Sequence, residues 1–315
     1  MDDDTQLKTL KATTEGNVGD GESTCTLLQK ASNYEQVQQE VKDMTLVKCA
    51  ENTYFWTYRE QIKNITFEDS INIPDNAYKS WDVSETGNGK VMAYIVSNKD
   101  DLSFYDLYIQ GDGEIYSNKD SRYLFHEFLN VDNIYNLSLL NTSRATNMSY
   151  MFSKTGYNSS VFKLDLGCNF DTSSVTHMTF MFFETGYLSP VFTLNLGNKF
   201  DTSNVIYMHY MFYDTGRYSN ILKLDLGNKF NTAKVTDMRY MFLNTGYSSS
   251  VFTLNLGDKF DTSNVTKMEK MFNYTGYKSS AFKVDCSQWN VDKVTNHDNF
   301  STGVSSKIIQ PNWKH

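Results

Sequence analysis

The chain has few cysteines, few prolines and no surplus of basic residues. Four cysteines in 315 residues are too few for a disulfide scaffold. Lysine and arginine number 29 against 37 acidic residues, which gives a formal net charge of −8. Since nucleic-acid-binding proteins carry a basic face, this balance argues against a nucleic-acid partner. Cys25 and Cys49 are a candidate pair only if the protein occupies an oxidising compartment.

Long apolar runs are missing as well. No stretch approaches the roughly 18 residues that a helix needs to cross a membrane, so the sequence predicts no membrane-spanning segment. The opening residues, MDDDTQLKTL, are acidic where a secretory signal would be basic and then apolar. We therefore expect an exported protein with this sequence to be a processed or recombinant form.

What the chain does have is a repeat of 30 residues. Met151, Met181, Met211, Met241 and Met271 are evenly spaced, and glycines at 156, 186, 216, 246 and 276 keep the same step. Each copy holds a stretch such as KLDLG or TLNLG, whose alternation predicts a strand with leucine inward. Each also holds a line such as VTHMTFMFFETGY, whose apolar spacing predicts a short helix that ends at the glycine.

This period predicts an α/β solenoid of stacked parallel strands and short helices, because one strand and one helix bury their apolar faces only against neighbouring copies. We place the solenoid at residues 119–300, with degenerate end caps, and a C-terminal tail at 301–315. Residues 23–118 are predicted to form a small α+β domain with a helix at 32–44, a second helix near 56–64 and a hairpin joining 104–110 to EIYS. Residues 1–22 are predicted to be a flexible N-terminus.

The phrase FDTSNV--M-YMF--TG at 200–216 and 260–276 resembles the repeat of BspA-type leucine-rich-repeat bacterial surface proteins. The stretch from SWDVSETGNGKVMAYIV to YLF at 80–125 is similar to the segment that often precedes those repeats. The resemblance spans roughly residues 55–300. It implies a right-handed solenoid, a bacterial cell-surface or secreted location and adhesive roles, and it brings no catalytic residues. An insertion such as YLSPVF lengthens each copy, and no anchor motif is present.

Nothing in the sequence predicts catalysis. His177 aligns with Tyr207, Asp237 and Lys267 in the other copies, and such free variation is typical of solvated surface. No P-loop, H-E-x-x-H or G-x-S-x-G motif occurs. We therefore predict a non-enzymatic protein with no cofactor and no metal. The acidic turns NKDD and GDGE leave a calcium-stabilised module as an alternative.

Two surface rows are candidate binding sites. The outward strand positions alternate charged and neutral pairs, which either relieves repulsion between neighbouring strands or forms a polar binding strip. The residues at these positions are Lys163, Asp165, Thr193, Asn195, Lys223, Asp225, Thr253, Asn255, Lys283 and Asp285. The second row is aromatic and consists of Tyr150, Phe180, Tyr210 and Tyr240. These rings either form an exposed ladder that recognises partners or pack sideways against each other.

From these features we expect an extracellular repeat protein that mediates adhesion or recognition of a host or matrix partner, either protein or glycan. We expect the aromatic row to carry more of that binding than the strand strip. The competing hypotheses are a structural subunit of a surface filament, similar to a pilin, or of a surface layer, and a calcium-stabilised or glycan-binding module.

Overall fold

The computed structural model describes residues 34–50 and 52–314, which lie in one compact unit, Ser32–His315. Its helices are α1, Tyr34–Asp43, and three short 3-10 helices, Tyr54–Gln61, Leu137–Leu139 and Ser305–Lys307. Its strands are β1 Ile62–Glu68, β2 Lys79–Asp82, β3 Val91–Ser97, β4 Tyr105–Gly111, β5 Ile115–Tyr116, β6 Asn133–Tyr135, β7 Leu140–Asn141, β8 Val161–Asp165, β9 Val191–Asn195, β10 Ile221–Asp225, β11 Val251–Asn255, β12 Val284–Asp285 and β13 Ile308–Ile309. Helices are few across the described residues, so the predicted α/β class is wrong and the protein is mostly β.

A mixed, open sheet of seven strands joins the N-terminal region to the repeats. Its order is β2-β3-β4-β1-β6-β8-β9. The pairs β2–β3 and β3–β4 are antiparallel, and β1 pairs in parallel with both β4 and β6. One hydrophobic core runs from Leu46 through the repeats to Ile308. The boundary between residues 118 and 119 stays a prediction, and the flexible N-terminus and Cys25 lie outside the described residues.

The predicted hairpin between β4 and the following EIYS segment is wrong. β4 pairs with β3 on one side and with β1 on the other, so neither edge of β4 is available to β5. The short strand β5 instead pairs in parallel with β7. The predicted helix at 32–44 is present as α1, whereas the region predicted as a second helix is the 3-10 helix Tyr54–Gln61 followed directly by β1.

Successive copies of the repeat lie side by side in register. In β8 and β9 the pairing runs from Val161 with Val191 to Asp165 with Asn195, and β10 and β11 pair in the same way. A second line of parallel bridges links residues 147, 177, 207, 237 and 267. Both ladders advance by 30 residues per copy, as the sequence period predicts. The alternation within each strand is also confirmed, because its odd-numbered positions are exposed and its even-numbered ones are mostly buried.

The predicted short helix in each copy is wrong, because the segment forms consecutive turns. In residues 178–185 the amides of Met181, Phe183 and Thr185 donate to the carbonyl oxygen three residues earlier. The amides between them, at 178, 180, 182 and 184, donate to carbonyls of the next copy. An α-helix would use all these amides internally and leave none to join the copies. Val175, Met178, Met181 and Phe182 are nevertheless fully buried, as predicted.

Interior side chains repeat in columns. The rings of Phe152, Phe182, Phe212, Phe242 and Phe272 stack at centroid distances of 5.4 to 5.7 Å. Buried threonines join the copies by hydrogen bonds: Thr185 Oγ1 donates to the Phe152 carbonyl at 2.8 Å, and Thr215 repeats the bond to Phe182 at 2.6 Å. Because these buried hydroxyls are hydrogen-bonded, the bonds offset the cost of removing the hydroxyls from water.

Candidate functional site

The strand strip lies on the exposed face of β8 to β11, where the sequence predicts it. Its register places Lys163 beside Thr193 and Lys223 beside Thr253, so no two lysines are adjacent within a paired ladder. Lys283 and Asp285 are also exposed, but Lys283 precedes β12. Along the strip Asn255 Nδ2 donates to Asp225 Oδ1 at 3.0 Å. The strip is therefore a continuous polar surface across the copies.

The acidic and amide half of this strip also shapes the turns. Asp165 accepts a hydrogen bond from the Gly167 amide at 2.9 Å, and Asn195 accepts one from Gly197 at 3.1 Å. Asp225, Asn255 and Asp285 make the same contact to the residue two positions on. Asp and Asn share this acceptor, which explains why both occur there. Lys163, Thr193, Lys223 and Thr253 make no side-chain hydrogen bond within the described residues, so their exposed groups are available to a partner.

Sequence reasoning missed an apolar column beside the strip. Val161, Val191, Ile221 and Val251 are 41%, 46%, 54% and 38% exposed. Each lies two residues before the Lys or Thr of its strand and therefore on the same face. The alternation used to place the charged positions could have found this column. Together the apolar column and the polar strip form the surface we call the strand face.

The aromatic row is a stack rather than an open platform. Tyr150 and Phe180 lie 4.7 Å apart between ring centroids, and Phe180 to Tyr210 and Tyr210 to Tyr240 are both 4.4 Å. The interplanar angles are 11° or less, so each ring covers the faces of its neighbours. All four residues have positive φ, which turns their side chains out of the core into one column. All four residues are half-buried, and their role in binding stays a prediction.

Both ends of the aromatic row have distinct neighbours. Lys270 takes the ring's place in the last copy, with its Nζ 5.3 Å from the Tyr240 centroid. Tyr240 donates a 2.6 Å hydrogen bond to Glu269. At the other end the stack continues to Tyr123, 5.0 Å from Tyr150. Tyr123 lies in the degenerate leading copy, and the sequence prediction did not include it in the row.

A second stack runs along the loops, and an arginine interrupts it. Tyr157 and Tyr187 are 4.6 Å apart, and Tyr247 and Tyr277 are 5.1 Å apart. Arg217 holds the intervening place, with its guanidinium carbon 4.9 Å from the Tyr247 centroid. It also donates to buried Asp214 at 2.7 Å. Burial raises the pKa of the Asp214 carboxyl, and Arg217 opposes that rise. We interpret this site as packing.

The described residues contain no cluster of three or more His, Cys, Asp or Glu side chains that could hold a metal ion. Asp101 in the NKDD turn accepts hydrogen bonds from the amide and hydroxyl of Ser103, which accounts for its position locally. Burial lowers the pKa of both His126 and His209. The calcium-stabilised module stays a hypothesis.

The geometry defines a class of protein: mostly β, with copies paired in register and long surface columns. The family model described as "Mycoplasma protein of unknown function, DUF285" matches residues 119–245 and 188–310, and the chain belongs to this family. No curated protein and no solved structure matches the chain. Between residues 34 and 314, as far as they are described, no helix is long and apolar enough to span a membrane.

Proposed function

We propose that the protein is a non-enzymatic bacterial surface or secreted protein that adheres to a host or matrix partner through a solenoid related to the BspA-type repeats. The in-register pairing of copies and the outward columns that recur from copy to copy support the solenoid. Broad surfaces of this kind suit recognition of extended partners rather than turnover of a small substrate.

The strand face is the surface we assign to this binding. The observation that carries the assignment is the exposed apolar column formed by Val161, Val191, Ile221 and Val251, flanked by a polar strip. A contiguous exposed apolar patch rimmed by polar groups is typical of a protein-binding site. The aromatic row is less suited to this role, because stacking already covers the ring faces that would bury area against a partner.

The filament alternative has weaker support. One route to end-to-end growth is the pairing of a strand edge with another copy. The last strand, β13, has only two residues, and Pro311 follows shortly after it. Short edge strands and nearby prolines are features that oppose edge-to-edge pairing. We therefore place adhesion ahead of assembly.

The test replaces Val191 and Ile221 with Thr, which keeps β-branching but makes the column polar. The matched control replaces Ile206 and Leu102 with Thr, since these residues are exposed apolar positions outside the strand face. After a protein and glycan array has identified a partner, we expect the first variant to bind it about tenfold more weakly and the control to be unchanged.

A third variant, Phe180→Ser with Tyr210→Ser, tests the aromatic row, with melting curves compared first. Loss of binding only in a correctly folded aromatic variant would move the binding site to that row. Equal losses in the first variant and the control would remove the strand face from consideration.

A further inference from the structure

A recess lies where the aromatic row meets the N-terminal region. Its walls include Lys48 from the loop after α1, Arg59 from the 3-10 helix Tyr54–Gln61, and Arg122, Tyr123, His126 and Glu127 from the leading copy. Trp56 fixes the two parts together, because its indole Nε1 donates to the Leu124 carbonyl at 2.9 Å. The recess is therefore built on packed elements, although its residues come from three separate stretches of the chain.

Tyr123 contributes an aromatic surface that the rest of the row lacks. Its ring stacks on Tyr150 through one face only, and His126 meets it edge-on at 5.3 Å. No further ring stacks on Tyr123 among the described residues, and 38% of the residue is exposed. Tyr150, Phe180 and Tyr210 each have a stacked ring on both faces. Tyr240 has a ring on one face and Lys270 on the other. Tyr123 is thus the ring with a face left for a ligand.

The charge around this ring is positive, in contrast to the acidic chain as a whole. Lys48 and Arg122 both contact Asp120, and Arg59 contacts Glu127 at 3.2 Å. Lys154 also lies 3.8 Å from Glu127, so four cationic side chains face two carboxylates. The Lys48 and Arg122 side chains remain 54% and 40% exposed, so they can still contact an anion. Burial lowers the pKa of His126, which disfavours its charged form.

The recess also carries a hydrogen-bond acceptor. Glu127 is partly exposed and offers carboxylate oxygens to hydroxyl donors. The Arg59 guanidinium donates to the Trp56 carbonyl at 3.1 Å and to Glu127 at 3.2 Å, which fixes the position of this carboxylate. An aromatic face, cations and a carboxylate acceptor fit a polyhydroxylated ring with one negative charge. A plain aromatic acid would leave the acceptors unused.

We propose that this recess binds a sugar residue that carries a carboxylate, of the uronic or sialic acid class. The sugar ring lies against Tyr123, and its carboxylate lies at Arg122 and Lys48. This site is separate from the strand face and does not depend on the adhesive function proposed for it.

The test uses three probes and the whole chain. Methyl β-glucuronide carries the ring and the charge, methyl β-glucoside carries only the ring, and benzoate carries charge without hydroxyls. Titration followed by saturation-transfer NMR should give the glucuronide a dissociation constant on the order of 1 mM. The other two probes should bind at least about tenfold more weakly, because each lacks one set of contacts. Raising the salt concentration to 1 M should weaken binding of the glucuronide, because salt screens its attraction to the cationic side chains.

Two variants locate the site, each with a matched control. Arg122→Gln removes a cation that pairs with the aspartate two residues earlier, and Arg239→Gln removes one with the same pairing to Asp237 outside the recess. Tyr123→Ser removes the open ring, and Tyr240→Ser removes the ring at the covered end of the row. We expect about tenfold weaker glucuronide binding in the first member of each pair and unchanged binding in the second.

The proposal is overturned if the wild-type chain binds no glucuronide at 20 times the expected constant, roughly 20 mM. It is also overturned if glucoside or benzoate binds as well as glucuronide, or if the control variants lose as much as the recess variants. Should Tyr123→Ser fail to fold, Arg122→Gln decides alone, because the Arg122 side chain is 40% exposed and lies outside the hydrophobic core. Loss of adhesion in the strand-face variants with glucuronide binding intact would separate this site from the strand face.

Discussion

At the scale of single residues, two apolar side chains of the same copy can differ widely in how deeply they are buried. Phe212 is fully buried between the rings of Phe182 and Phe242, at 5.4 and 5.5 Å. Ile221 begins the next strand and is 54% exposed. Truncating Phe212 leaves a cavity between two rings that cannot move in to fill it, because each is packed within its own copy. Truncating Ile221 exposes little new surface.

We predict that Phe212→Ala lowers the free energy of unfolding by about 3–5 kcal/mol. Ile221→Ala should change it by less than about 1 kcal/mol, since exposed positions contribute little. Urea denaturation followed by circular dichroism measures both. Similar losses in the two variants would mean that the phenylalanine column is not the rigid core of the array.

At the scale of elements, the strand and the turn segment of each copy differ in how well the sequence predicts them. The strand is fixed by local alternation, so Leu194 and Thr193 face the sides that the pattern predicts. The sequence predicts a helix for the turn segment because buried residues at Val175, Met178 and Phe182 fit both structures. The choice depends on amides that bond to the next copy, and a single copy contains no sign of them. The recess at Tyr123 was also unpredictable, because Lys48, Arg59 and Arg122 come together only in the fold.

The alternating strand strip leads to a prediction at this scale. Changing Thr193 and Thr253 to Lys would place lysines beside Lys163 and Lys223 in paired strands about 4.8 Å apart. Like charges directly opposite destabilise a sheet, so each new pair should lower the free energy of unfolding by about 0.2–1 kcal/mol. Salt at 1 M should restore part of this loss by screening.

The measurement for these lysine variants is the melting temperature at low and high salt. Thr193→Gln with Thr253→Gln is the control for side-chain length without charge. An unchanged melting temperature, or a loss that salt does not reduce, would leave the alternation unexplained by repulsion. The binding interpretation of the strip would then gain weight.

At the scale of the whole molecule, stability should follow from contacts between neighbouring copies. Both bridge lines advance by 30 residues, and the Phe and Thr columns join each copy to the next. The two ends differ from the middle: β1 and β6 join the array to the N-terminal strands, and β13 covers the last copy through β12. Removing one interior copy therefore preserves every type of contact, whereas removing half a copy does not.

We predict that deletion of residues 181–210 leaves a folded, shorter protein, because Met211 then occupies the place of Met181 in every column. Deletion of residues 181–195 should unfold the repeats. The Leu196–Phe200 segment would then follow a turn segment that is interrupted after residue 180, and the Phe and Thr columns would lose their register. Circular dichroism and thermal unfolding compare the two, with the undeleted chain as reference. In a one-dimensional array each copy adds its own and its interface terms, so the first deletion should lower the melting temperature only modestly. If both deletions unfold alike, the 30-residue unit is not the unit of stability, and the in-register columns are held instead by the sheet at the N-terminal end.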